Sequence, residues 1–116
     1  MGDLTNGNDL KKSTLALWDR FMSHLDKLLL EVTATKELDL TNARVLSEIE
    51  QGLNGVYLLL EQQLKGEQRW HIVVEEHTLV LEVFSLFDNK KIDYERLSEI
   101  AKDLRHLYRG RRLIKF

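Results

Sequence analysis

Histidine and glutamate are the residue types in this chain that bind metal ions inside helical proteins. His71 and Glu75 are four residues apart, so on a helix they would share one face, as two ligands of one ion do. A di-iron bundle requires more: Glu-x-x-His on two helices and a further Glu on each of the other two. The residues three positions before the four histidines are Phe21, Gln68, Val74 and Asp103. None of these is Glu, so we expect no metal site and no cofactor.

The sequence contains no pattern that predicts catalysis. It has no cysteine nucleophile, no serine in a Gly-x-Ser-x-Gly turn and no Gly-x-x-x-x-Gly-Lys phosphate loop. Glu75 and Glu76 are adjacent, so on a helix their carboxylates diverge by about 100° and cannot readily act on one bond. We therefore expect that the protein is not an enzyme.

His77 lies within an apolar stripe, with Val73, Val80 and Phe84 at helical spacing around it. We expect a neutral histidine in the core, with one hydrogen bond to Tyr57 or to a backbone carbonyl. Burial disfavours the protonated form of histidine. The position therefore predicts lost stability or altered association as the pH falls.

Basic residues are concentrated at the C-terminal end of the chain. Residues 1–100 contain 11 Lys or Arg and 18 Asp or Glu, whereas residues 101–116 contain six and one. Cations in the last turn of a helix offset the helix dipole, but Arg111, Arg112 and Lys115 follow Gly110, where we expect the helix to end. Two functional interpretations remain: binding to RNA or DNA, or binding to an acidic protein surface, including the acidic body of this chain.

Apolar residues recur every three or four positions in four segments, which predicts four amphipathic helices. We expect Asp9 to cap the first helix, Thr41 the second and Asp93 the fourth, and Gly66 to adopt the left-handed conformation that follows a helix. The predicted ranges are about 9–35, 41–65, 69–87 and 93–110.

The third segment has a competing interpretation. Trp70, Ile72 and Val74 alternate as in the first arm of a β-hairpin. However, the turn that would follow lacks Gly, Asn and Asp, and the second arm does not alternate. We therefore predict a helix.

Gly52 and Gly55 lie in the middle of the predicted second helix, where each costs about 1 kcal/mol relative to alanine. Close approach of a bulky residue such as Trp18 or Phe21 would explain them. A kink in the helix and a ligand pocket are the alternatives.

Short connections between four amphipathic helices favour an all-α fold, an antiparallel up-down-up-down four-helix bundle. We predict one domain over residues 1–116, with residues 1–8 disordered and residues 111–116 forming a basic tail. No apolar stretch is long enough to span a membrane. The absence of cysteine fits the cytoplasm, where we expect the protein to act.

The chain has more apolar residues than one stripe per helix requires. The surplus residues in the helices are Leu17, Leu30, Leu58, Leu59, Ile72, Val74, Leu81 and Leu86. Large apolar patches on a protein surface mark interaction sites. We predict a partner-binding surface on the third helix and the basic tail, formed by Ile72, Leu81, Leu86, Arg105, Arg109, Arg111, Arg112, Leu113, Ile114 and Phe116.

These observations predict a small helical adaptor or assembly factor that acts through protein–protein contacts and forms homo-oligomers. A nucleic-acid-binding module that uses the basic C-terminal segment is the alternative. A third possibility is an enzyme or ligand-binding bundle with a pocket at Gly52 and Gly55.

Overall fold

The computed structural model describes residues 7–114 and contains four helices: α1 (Gly7–Thr35), α2 (Leu40–Leu64), α3 (Gln68–Phe87) and α4 (Tyr94–Arg112). The segment that contains Trp70 is helical throughout, so the helix prediction is confirmed over the hairpin. The predicted disordered segment reaches residue 8, but α1 already begins at Gly7. The remainder of that segment, and Lys115 and Phe116 at the other end, lie outside the described residues.

The helix ends agree only in part with the predicted caps. Asp93 caps α4, and its Oδ1 accepts a hydrogen bond from the Arg96 backbone N–H at 3.0 Å. Gly66 has a φ of +87°, as predicted for the residue that follows a helix.

Three of the predicted boundaries were wrong. The cap of α2 is Asp39, whose Oδ1 accepts from the Asn42 N–H at 2.8 Å, and Thr41 lies inside the helix. Asp9 lies in the first turn of α1 rather than before it, where its carboxylate still interacts favourably with the helix dipole. The last helix continues through Gly110 to Arg112, so Arg111 and Arg112 belong to its last turn and not to a tail.

In cross-section, the four helices lie at the corners of a square. Each helix packs against its neighbours in sequence, and α1 also packs against α4, while the backbones of the diagonal pairs stay more than 8 Å apart, Cα to Cα, within the described range. Connections as short as residues 36–39 require the helices that they join to run in opposite directions. This arrangement is the predicted all-α four-helix bundle, and it is consistent with the up-down-up-down order.

The apolar stripes meet in one core between the four helices. Trp18, Leu25 and Leu29 of α1 are completely buried, as are Leu53 and Leu60 of α2, and α3 and α4 contribute residues in the same way. Over the part of the chain that the structure describes, no helix is both long and apolar enough to cross a membrane.

Gly52 allows α1 and α2 to approach closely. A Cβ atom at this position would collide with the ring of Phe21, which packs against the core from α1. The close-approach interpretation is therefore confirmed for Gly52. Gly55 faces open space, and α2 continues through both glycines without a break.

Alanine substitutions at the two glycines should have different effects on stability. Gly55→Ala should stabilise the protein by about 1 kcal/mol, because alanine is the better helix former and its methyl group meets nothing. Gly52→Ala should be less stable than Gly55→Ala by about 1–3 kcal/mol, because the methyl group must displace Phe21. Urea unfolding measures both. The difference should shrink in a Phe21→Leu background, and equal stabilities in the wild-type background would contradict the close contact.

Candidate functional site

Two of the four arginines of the predicted basic surface, Arg105 and Arg111, are paired with acidic residues of the same chain. Arg105 Nε donates to Asp26 Oδ1 of α1 at 2.9 Å, and the Arg105 side chain is about one-third exposed. Arg109 is exposed, and Arg112, also exposed, donates to the Tyr108 hydroxyl at 3.1 Å. Leu113 is 82% exposed, and Ile114 is half-buried. Phe116 lies outside the described residues.

Arg111 is buried, which corrects its assignment to an exposed surface. Its Nε donates to Glu76 Oε1 at 2.8 Å, and its Nη2 donates to Glu76 Oε2 at 3.2 Å and to Asp19 Oδ1 at 2.5 Å. The side chains of Arg111 and Glu76 are only 3% and 1% exposed. The guanidinium therefore joins the end of α4 to the middle of α3 and to α1, and a partner has no access to it.

Arg111 and Glu76 each stabilise the charged form of the other. Burial raises the pKa of the Glu76 carboxyl, although the hydrogen bonds and the positive charge of Arg111 act in the opposite direction. Burial by itself would lower the pKa of Arg111, but Glu76 and Asp19 more than compensate and raise it above its ordinary value. The geometry is that of a bidentate, charge-assisted pair between Arg111 and Glu76.

The predicted apolar residues of α3 do not form one surface. Ile72 and Leu81 are nine residues apart, which places them on opposite sides of a helix. Leu81 is exposed, whereas Ile72 is half-buried and Leu86 packs against the core. One continuous contact surface therefore cannot contain Leu81 and the C-terminal residues together with Ile72 and Leu86.

His77 lies in an aromatic cluster that joins α1, α2 and α3. Its ring stacks on Tyr57, with 3.7 Å between the ring centroids and an angle of 13° between the planes, and Trp18 lies 6.4 Å away. The ring of Trp70 also lies against Tyr57, with 5.1 Å between the ring centroids. Burial lowers the pKa of His77. The lowered pKa agrees with the predicted neutral form, but His77 is half-buried and not part of the core. Its Nε2 has no hydrogen-bond partner among the described residues, so ring stacking on Tyr57 takes the place of the predicted hydrogen bond.

A different surface carries exposed leucines that lie together. Phe21 of α1 lies against Gly52 of α2. Leu17 and Leu10 precede Phe21 in the sequence and lie on the same side of α1 as Phe21. On α2, Val45 lies seven residues before Gly52 and Leu59 seven residues after it, on the same side of the helix. We call this outer surface the α1/α2 face. Its apolar residues Leu10, Leu17, Val45 and Leu59 are 37–51% exposed.

Sequence reasoning recognised part of this face without locating it. Leu17 and Leu59 were among the surplus apolar residues. The spacing of seven residues between Leu10 and Leu17, and of fourteen between Val45 and Leu59, was a signal for two exposed rows. The register that places the two rows side by side depends on the contact between Phe21 and Gly52.

The other candidate sites offer little chemistry. A groove of about 300 Å³ between α1 and α4 has an apolar floor, with Met22 and Leu104, and charged edges that include Asp26 and Arg105. The Phe21 ring fills the space at Gly52, where a pocket was the alternative. Among residues 8–114, no group of three His, Asp or Glu side chains is placed to hold a metal ion.

Comparisons of the chain with protein-family models, with curated proteins and with solved structures found no significant match. Its class is therefore defined by its own structure: a four-helix bundle with a buried ion cluster and an exposed apolar face formed by α1 and α2.

Loss of Arg111 should strongly destabilise the fold. Arg111→Met leaves the Glu76 carboxylate buried without its counter-charge, and the free energy of unfolding at pH 7 should fall by about 3–5 kcal/mol. Arg112→Met, at the exposed neighbouring position, is the matched control and should change stability by about 0.5 kcal/mol or less. Chemical denaturation of the three proteins measures both effects.

The pH dependence of the stability lost in Arg111→Met should show whether the unpaired Glu76 carboxylate causes the loss. Without Arg111 the pKa of Glu76 should rise further above its ordinary value of 4.5. A carboxyl whose pKa is raised by folding stabilises the folded state below its unfolded pKa, and this contribution disappears as the pH rises through the folded pKa. The deficit of Arg111→Met should therefore be smaller at pH 4.5 than at pH 7. A deficit that is equal at both pH values would mean that Glu76 is not responsible.

Protonation of His77 should destabilise the bundle. Because folding lowers its pKa below 6.5, the unfolded chain takes up the proton first. Stability that is present above pH 6.5 should decrease as the pH falls through the folded pKa. Melting temperatures of the wild type and of His77→Leu should diverge over this range, with the wild type losing more. Parallel curves would show that His77 does not titrate differently on folding.

Proposed function

We propose that this protein is a small helical adaptor or assembly factor of the cytoplasm that acts through protein–protein contact and self-associates through the α1/α2 face. The observation that carries the proposal is the alignment of Leu10, Leu17 and Leu59 on one side of the bundle. Single exposed leucines are ordinary on protein surfaces, but leucines aligned on one face resemble the apolar patches that mark interaction sites.

Removal of the exposed leucines from water would drive the proposed self-association. Each apolar side chain removed from water contributes about 25 cal/mol per Å² of buried area. The leucines of the α1/α2 face are already held by two packed helices, so their burial against a partner costs little further ordering of the backbone. In this proposal the protein acts by contact and not as an enzyme.

The nucleic-acid alternative has weaker support. Arg105 and Arg111 are engaged with acidic residues of the same chain, which reduces the positive charge that the C-terminal end offers to phosphates. Arg109 and Arg112 remain exposed, but a pair of cations does not distinguish a phosphate-binding surface from an ordinary helix end.

Charged substitutions on the α1/α2 face should prevent self-association. Light scattering of the wild type across a concentration series should show a mass that rises above the 13.6 kDa of one chain. Leu17→Glu combined with Leu59→Glu should remain monomeric, because the interface would bury unpaired charges. Leu30→Glu is the control, since Leu30 is also exposed on α1 but points away from this face. A wild type that stays at 13.6 kDa at all concentrations would contradict the proposal.

A further inference from the structure

Four charged residues continue the α1/α2 face beyond its leucines. Lys27 and Glu31 on α1, and Arg44 and Glu48 on α2, are all exposed. By helical rotation, Lys27 and Glu31 lie within about 80° of the direction of Leu17, and Arg44 and Glu48 within about 60° of that of Leu59. None of the four takes part in an ion pair within residues 8–114.

The contact between Phe21 and Gly52 sets the level of each residue along the bundle. At 1.5 Å per residue, Lys27 lies about 9 Å and Glu48 about 6 Å from this contact, toward the connection at residues 36–39. Glu31 and Arg44 lie further in the same direction, at about 15 Å and 12 Å. Opposite charges on α1 and α2 therefore occur in matched pairs at the same level.

The leucines occupy the other half of the face. From the same contact, Leu17 lies about 6 Å, Leu59 about 10 Å and Leu10 about 16 Å toward the opposite end. The leucines thus lie in one half of the face and the four charges in the other, where Val45 of α2 also lies, and the exposed Arg20 lies close to the boundary. In the charged half each sign on α1 has the opposite sign on α2.

We infer that the partner is a second copy of this chain, packed face to face across a two-fold axis parallel to the helices. This operation places α1 of each protomer over α2 of its partner without changing the level of any residue. Lys27 then meets Glu48 of the partner subunit, Glu31 meets Arg44 of the partner subunit, and Leu17 meets Leu59 of the partner subunit. The inference rests on the proposed self-association and adds its geometry.

The alternative two-fold axis, perpendicular to the helices, fits poorly. With the axis through the middle of the face, so that the whole face is covered, it would reverse the second copy end to end and place the apolar half of one face over the charged half of the other. Charges would then lose water without gaining a partner, which costs several kcal/mol per ion. Charge complementarity therefore selects the parallel axis.

Two further properties of the face suit a second copy. Gly55 lies on it with open space around its Cα, so the helix opposite can approach α2 closely at this level. The molecule measures 54 × 24 × 18 Å, and one long side of this size can supply the area of about 800 Å² per partner that stable dimers bury.

Charge reversal tests the arrangement. In Lys27→Glu, both symmetry-related contacts with Glu48 of the partner subunit become repulsive, and in Glu48→Lys the repulsion is between lysines. Each variant alone should dimerise about tenfold more weakly than the wild type at low salt. An equimolar mixture of the two should recover dimers, because every Glu at position 27 then meets a Lys at position 48. Glu31→Arg with Arg44→Glu forms a second, independent mixture.

Native mass spectrometry of one isotope-labelled and one unlabelled variant counts the mixed dimers directly. Lys102→Glu with Glu75→Lys is the matched control on α4 and α3, and it should neither weaken dimers nor favour mixed ones. Circular dichroism checks that each variant remains folded. The rescue should disappear in about 1 M salt, where the screening length falls to about 3 Å.

The outcomes separate this arrangement from the proposed function. Preferred mixed dimers from both variant pairs would support the parallel two-fold axis. A wild type that dimerises, with charge variants that dimerise and mix as the wild type does, would overturn this arrangement and leave self-association intact. A wild type that is monomeric throughout would overturn both.

Discussion

The bundle depends on the burial of one full pair of opposite charges, Arg111 and Glu76. Either charge alone in this position would cost several kcal/mol of lost hydration, so the two must be buried together. This requirement fixes the last turn of α4 against the middle of α3, and Asp19 ties the same guanidinium to α1. It also explains why α4 continues past Gly110, because a helical backbone at residue 111 places the Arg111 guanidinium against the carboxylates of Glu76 and Asp19.

Two other arginines of α4 bind neighbouring helices in the same manner but in a different environment. Arg96 donates to both carboxylate oxygens of Glu82 on α3, at 2.6 and 2.8 Å, and Arg105 donates to Asp26 on α1. These side chains are about one-third exposed, and such pairs contribute about 0–1 kcal/mol each. A buried pair adds little net stability over apolar residues of the same shape, but a mispaired arrangement is heavily penalised. We therefore interpret the Arg111 pair as a determinant of the register of α4.

The limits of the sequence prediction follow from the range of the interactions involved. Local spacing was sufficient for the four helices, for the cap at Asp93 and for the glycine at Gly66, because each depends on residues within a few positions. The burial of Arg111 depends on Glu76, 35 residues away, so spacing alone assigned it to an exposed tail. Asp39 and Thr41 are both good capping residues, and the choice between them depends on where the chain leaves α1. Leu17 and Leu59 were visible as surplus residues, but their common face arises only from the packing of Phe21 on Gly52.

The internal use of the C-terminal arginines bears on where an interaction surface can form. A surface that loses water on binding must replace the hydration of every charge it buries, so cations that are already paired inside the molecule are poor contributors to a new contact. The arginines of α4 that remain exposed would have to be desolvated against a partner, whereas the leucines of the α1/α2 face gain from the same event. Arg105 and Arg111 are already paired with acidic residues of the chain, and for this reason the proposed self-association relies on the apolar side of α1 and α2.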